Sequence, residues 1–128
     1  MAVSRLLRLG VFMSQTPNLL RFEAFSLSLS VIRLLHPLMG DIRSHDRGLE
    51  KQLREAASSV SLNTAESRGR TGKDRIHFLR IALGSAEETA ACLHVADAWG
   101  YLDEEKTRAC LAKLAHLLAV LGKLTRAS

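Results

Sequence analysis

Ile76-His-Phe-Leu79-Arg-Ile-Ala-Leu83-Gly-Ser-Ala86-Glu-Glu-Thr-Ala90-Ala-Cys-Leu93 repeats large or small apolar side chains at steps of three, four, three, four and three. That alternation puts six residues on one side of an α-helix, in the manner of a bundle seam. The pattern predicts a helix from about Gly72 to Trp99. Thr71 and Asp74 have the spacing of a capping box at its start. Gly100 fits the position just past its end, with Tyr101 and Leu102 folding back onto the last turn. Gly84 lies mid-helix, where glycine costs ~1 kcal/mol relative to alanine. With Ala82, Ser85 and Ala86 it reads as a flat patch for close packing.

A seam of this kind needs partners, and three further segments supply them. Leu111, Leu114, Leu118 and Leu121 repeat at three, four and three, which predicts a helix over about 104–124 with Asp103 as N-cap. Glu104 and Glu105 suit its positive start, and Lys123 and Arg126 its negative end. Upstream, Leu49, Leu53, Ala56, Ala57, Val60 and Thr64 share one face of a helix over about 46–67, with Asp46 as N-cap. Glu50–Arg54 and Lys51–Glu55 are candidate i,i+4 pairs there. A first helix over about 19–44 carries Leu27, Val31, Leu34, Leu38 and Ile42. Pro37 either kinks or ends it. The stripe stays in phase across the proline, which favours a kink. Pro17, Pro37, Gly48, Arg68–Gly72 and Gly100 punctuate the four segments. Four amphipathic segments with short connections predict an all-α fold, an antiparallel up-down-up-down four-helix bundle over residues 19–128. Residues 1–18 read as a disordered extension, with Met13 as an alternative start.

The composition agrees with this class. The chain has 128 residues, one domain's worth. Hydrophobic residues at 47% and charged residues at 24% exclude an intrinsically disordered chain, and aromatics at only 5% argue against sheets. No apolar run reaches the ~20 residues of a membrane span. The apolar stretch near the start is broken by Arg5 and Arg8 and has no convincing cleavage site. A cytoplasmic protein without membrane partners is therefore expected.

Catalytic chemistry finds little support. The chain has no Gly-x-Ser-x-Gly elbow, P-loop or dinucleotide fingerprint. Its histidines, His36, His45, His77, His94 and His116, never pair at i,i+3 or i,i+4, so neither a metal nor a cofactor is expected. Cys92 and Cys110 flank Tyr101 symmetrically and read as two small buried residues rather than a disulfide. Asn63 and Glu66 have no partner base. They read as structural side chains tying the end of their helix to a neighbouring helix or subunit.

Charge gives the functional lead. The net charge is +5, and the excess is confined to residues 1–82, with 13 Lys and Arg against 7 Asp and Glu. Arg47, Lys51 and Arg54 recur at helical spacing, Arg68 and Arg70 flank Gly69, and Lys73, Arg75 and Arg80 follow. Because one connection joins the two helices, these eight residues are expected to form one positive edge able to contact RNA or DNA phosphates. Aromatics are not interleaved with them, so base stacking is not expected.

Gln52-Leu-Arg-Glu-Ala-Ala-Ser-Ser-Val-Ser-Leu-Asn-Thr-Ala-Glu66, followed by Phe78-Leu-Arg-Ile-Ala-Leu-Gly-Ser-Ala-Glu-Glu88 and Gly100-Tyr-Leu-Asp103, resembles the small four helix bundle protein family. That family includes proteins encoded in intervening sequences of bacterial 23S ribosomal RNA genes, and it is similar in fold to the accessory variability determinant of diversity-generating retroelements. The resemblance spans about residues 22–124. It implies a homopentameric ring and no catalytic residues. For the retroelement relatives it also implies a basic surface that binds nucleic acid and a reverse transcriptase. The family's Asn-Ile-Ala-Glu-Gly is here Asn63-Thr-Ala-Glu-Ser67, which leaves Gly69 or Gly72 to make the turn. Asn63 and Glu66 match the motif as structural residues, alongside Gly84 and Gly100. The leading expectation is a non-enzymatic, oligomeric nucleic-acid-binding or adaptor protein. The alternative is an interaction scaffold for a partner such as a reverse transcriptase.

Overall fold

The computed structural model describes residues 17–126. The expected N-terminal extension therefore lies outside the described residues, save Pro17 and Asn18, which begin a helix. Five helices follow one another: α1 (Pro17–Arg21), α2 (Glu23–His45), α3 (Arg47–Arg68), α4 (Gly72–Ala98) and α5 (Glu104–Arg126). The four long ones pack in a closed circuit, α2 on α3, α3 on α4, α4 on α5 and α5 back on α2. The fold is thus the all-α, up-down-up-down bundle that the apolar spacing demands.

Each connection has a local cause. Asp46 is the entire α2–α3 link. Its carboxylate accepts a hydrogen bond from the Leu49 N–H at 3.0 Å, as an N-cap should. Gly48, one of the expected breakers, lies inside the first turn of α3. Past α4, Gly100 has φ +78°. Its N–H donates to the Asp97 carbonyl at 2.9 Å, and the Tyr101 N–H donates to the Ala96 carbonyl at 3.0 Å. These two bonds make a Schellman end, which glycine permits because a Cβ disfavours positive φ. Asp103 caps α5 by accepting from the Lys106 N–H at 3.0 Å.

Two local readings are corrected. The first predicted helix is two helices, broken at Phe22, whose N–H donates to Leu19 while the Ser26 hydroxyl bonds to the Leu20 carbonyl. That side-chain bond competes with a continuous helix, and the apolar stripe carries no trace of it. Pro37, by contrast, is accommodated inside α2. The capping box also fails. Thr71 is the N-cap of α4 but makes no side-chain capping bond, and Asp74 bonds instead to Arg70.

The core is aliphatic. Leu38, Ile42, Leu53, Leu79, Leu93, Leu114, Leu117 and Leu121 are all essentially inaccessible. Serines stitch the helices together. Ser61 donates to Ser28 at 2.8 Å between α3 and α2, and Ser59 and Ser85 meet at 2.7 Å between α3 and α4. Cys92 and Cys110 are buried free thiols, and burial pushes the Cys110 thiol up to about 11. Thr64 is fully buried, and its hydroxyl is the one buried side-chain polar atom without a hydrogen-bond partner among the described residues. Leaving such a group unsatisfied costs ~1–3 kcal/mol. Thr64→Val keeps the shape and removes the hydroxyl, so it should raise stability by about 1 kcal/mol in urea unfolding.

Candidate nucleic-acid interface

Topology decides which charges meet. In an up-down bundle the α3–α4 turn, the start of α2 and the end of α5 share one end. That end, counting five residues of each helix and the connection, holds Arg21, Arg68, Arg70, Lys73, Arg75, Lys123 and Arg126 against Glu23, Glu66 and Asp74. The opposite end, counted alike, holds five basic residues against seven acidic ones. The bundle is therefore polarised along its axis.

This placement splits the expected edge. Arg68, Arg70, Lys73 and Arg75 come together at the α3–α4 turn. Arg80 lies about 12 Å along α4 from Gly72, at 1.5 Å per residue. Arg54 lies about 21 Å from Arg68 along α3, and Arg47 about 32 Å, at the acidic end. Lys51 is with Arg47. A helix stripe read from sequence does not reveal that its length carries it past the site. Arg54 is also neutralised by an ion pair with Glu50, whereas Lys51 and Glu55 form no ion pair among the described residues. Conversely, the sequence reading missed Arg21, Lys123 and Arg126. An even number of long helices brings the start of α2 and the end of α5 to one side, which is the signal the sequence offers.

Within the basic end the arginines differ. Arg70 donates to Glu66 at 2.6 Å and to Asp74 at 3.0 Å, and its guanidinium lies 5.0 Å from the centre of the Phe78 ring. The bonds to Glu66 and then Asp74 raise its pKa above the ordinary arginine value. Two of its five N–H donors are thus committed. Arg68 forms no ion pair among the described residues and lies 5.2 Å over Phe22. Lys73 is exposed, Arg75 half-buried, and Arg126 packs its guanidinium over Gly122.

The structural residues also sort themselves. Asn63 donates to the Ser59 carbonyl at 2.9 Å and the Ser59 hydroxyl at 3.0 Å. Through the Ser59–Ser85 bond it ties α3 to α4. Glu66 is exposed and serves Arg70 rather than a neighbouring helix. Gly69 ends α3 at φ −88°, which any residue adopts. The glycine turn is made by Gly72, at φ +59°. Gly84 is exposed, and an added Cβ would touch nothing, so close packing within the chain does not require it. Gly84→Ala should accordingly stabilise the folded chain by about 1 kcal/mol in thermal unfolding.

Other sites offer little chemistry. A groove of about 500 Å³ between α2 and α3 has Leu35, Met39 and Ala57 on its floor and His36, Arg43 and Arg54 on its rim. No carboxylate or thiol lines it. Among the described residues no three His, Cys, Asp or Glu could hold a metal, and no helix is long and apolar enough to cross a membrane.

A family model described as 23S rRNA-intervening sequence protein matches residues 21–123. The chain belongs to that family. The match takes in α2, α3, α4 and α5 as far as Lys123, and leaves Arg126 outside. Among solved structures, the chain is similar to a protein with unknown function from the S23 ribosomal protein family of Bacteroides thetaiotaomicron VPI-5482. The TM-score is 0.71 at 20% identity, over 80% of this chain and 98% of that one. At that identity the likeness shows the fold. No curated protein matches the chain.

Proposed function

We propose that this member of the 23S rRNA-intervening sequence protein family is a non-enzymatic, oligomeric nucleic-acid-binding protein that contacts phosphates through the basic end of its bundle. The observation that carries this reading is the gathering of seven cations from α1, α3, α4, α5 and the α3–α4 turn at one end, against three carboxylates. Such a concentration favours polyanions, and arginine suits phosphate geometry. The family's description, 23S rRNA-intervening sequence protein, is consistent with an RNA ligand. A labelled structured RNA should bind saturably at low salt. Failure to bind there would remove the proposal.

A second surface supports self-association, or a scaffold for a protein such as a reverse transcriptase. Leu62 on α3 is 70% exposed, and Ile81, Val95 and Trp99 on α4 are also exposed. Ile81, Gly84, Ala91 and Val95 follow a helical stripe, interrupted by Glu88, that faces solvent while the core seam faces inward. A helix apolar on both sides belongs inside an assembly. A homopentameric ring would give α4 that environment. Leu62→Glu should leave the helical content unchanged and shift the sedimenting species to the monomer. An unchanged assembly would move the contact elsewhere.

A further inference from the structure

Two of the cations at the basic end are built differently from ordinary phosphate ligands. Arg70 spends hydrogen-bond donors on Glu66 and Asp74, at 2.6 and 3.0 Å. A phosphate taking those donors would have to displace two carboxylates. Yet the Arg70 side chain remains 42% exposed, and the Phe78 ring backs its guanidinium at 5.0 Å. Its guanidinium plane is therefore held in place by two carboxylates and a ring while the side chain stays partly open to solvent. Arg68, two residues earlier, shares only the ring contact, lying over Phe22 at 5.2 Å with no ion pair among the described residues. The rings come from the α1–α2 junction and from α4, so linear sequence separates them from the arginines they support. The sequence spacing that argues against base stacking does not register these two arginine–ring pairs.

Guanidinium planes stack on nucleobases as aromatic rings do, and stacking tolerates any base because every base has a π-face. Within a duplex those faces are covered by neighbouring pairs. Loops, bulges and single strands leave them open. We propose that Arg68 and Arg70 are stacking platforms for unpaired bases, and that the exposed Lys73 and the neighbouring Arg75 hold the flanking phosphates. The basic end would then prefer nucleic acid with unpaired bases to a uniform duplex. This rests on the nucleic-acid reading above and specifies the class of ligand.

The test uses the full chain and four fluorescent probes: a hairpin RNA with an unpaired loop, the same hairpin with an abasic loop, a blunt RNA duplex, and single-stranded DNA of the loop sequence. The wild type should bind the abasic hairpin on the order of tenfold more weakly than the intact one. Arg70→Lys keeps the charge and removes the plane. It should produce a comparable loss on the intact hairpin and none on the duplex, with circular dichroism unchanged. Arg68→Lys serves as the second variant should Arg70→Lys disturb the turn. A loss shared by RNA loop and single-stranded DNA assigns the platforms to bases of either kind, and a loss confined to RNA assigns them to RNA. Equal affinity for intact and abasic hairpins, or an equal Arg70→Lys loss on hairpin and duplex, overturns the stacking proposal while leaving phosphate binding in place. No binding to any probe overturns the nucleic-acid reading itself.

Discussion

Leu93→Ala is expected to remove about 3–5 kcal/mol of folding stability. Leu93 is fully buried on α4, in the seam that faces the rest of the core. Truncation loses the transfer free energy of its methyl groups and leaves a cavity that four rigid helices fill only in part. A domain of this size holds a total of ~5–15 kcal/mol, so this one change consumes a large share. Urea unfolding should show a lower midpoint with an unchanged slope. Val95→Ala, two residues on but 45% exposed, is the internal control and should cost below about 1 kcal/mol. Equal effects at the two positions would mean that the seam is assigned to the wrong face of α4.

Neutralising Arg68, Lys73 and Arg75 together to glutamine is expected to weaken RNA binding at low salt on the order of a hundredfold, since it removes the phosphate contacts of Lys73 and Arg75, each carrying ~0.9 of the log–log salt slope, together with the guanidinium plane of Arg68. The slope should therefore flatten by about two. Arg47→Gln with Lys51→Gln removes two charges from the opposite, acidic end. That variant should retain most of the affinity, although it lowers the net charge almost as much. The comparison separates a localised site from general attraction to a basic protein. Equal losses from the two variants would favour general attraction.

The bundle was legible because its information is local and periodic. The steps of three and four from Ile76 to Leu93 name a helix and its buried side, and Asp46, Asp103 and Gly100 mark helix ends through bonds spanning only a few residues. The break at Phe22 was not legible. It depends on a Ser26 side-chain bond that no hydrophobic pattern encodes. Thr71 and Asp74 have capping spacing, but Arg70 competes for Asp74 with a full charge and wins it. The site was half legible. Arg68, Arg70, Lys73 and Arg75 lie close in sequence and stay close in space. Arg47 and Lys51 share their helix with Arg68, yet the length of α3 carries them to the other end. Arg21, Lys123 and Arg126 are far away in sequence and join through topology alone. Gly84 reads from sequence as a close-packing position, and within this chain nothing approaches it, so any close packing there is with another molecule.

The polarised bundle is proposed to bind nucleic acid phosphates through its α3–α4 end. Fluorescence anisotropy of a structured RNA, titrated from ~50 to ~200 mM salt, tests it most directly. Binding at low salt that weakens by orders of magnitude across that range is the predicted result. Absence of binding at ~50 mM salt, or an affinity indifferent to salt, would contradict the claim and leave the seven cations as a solvated surface.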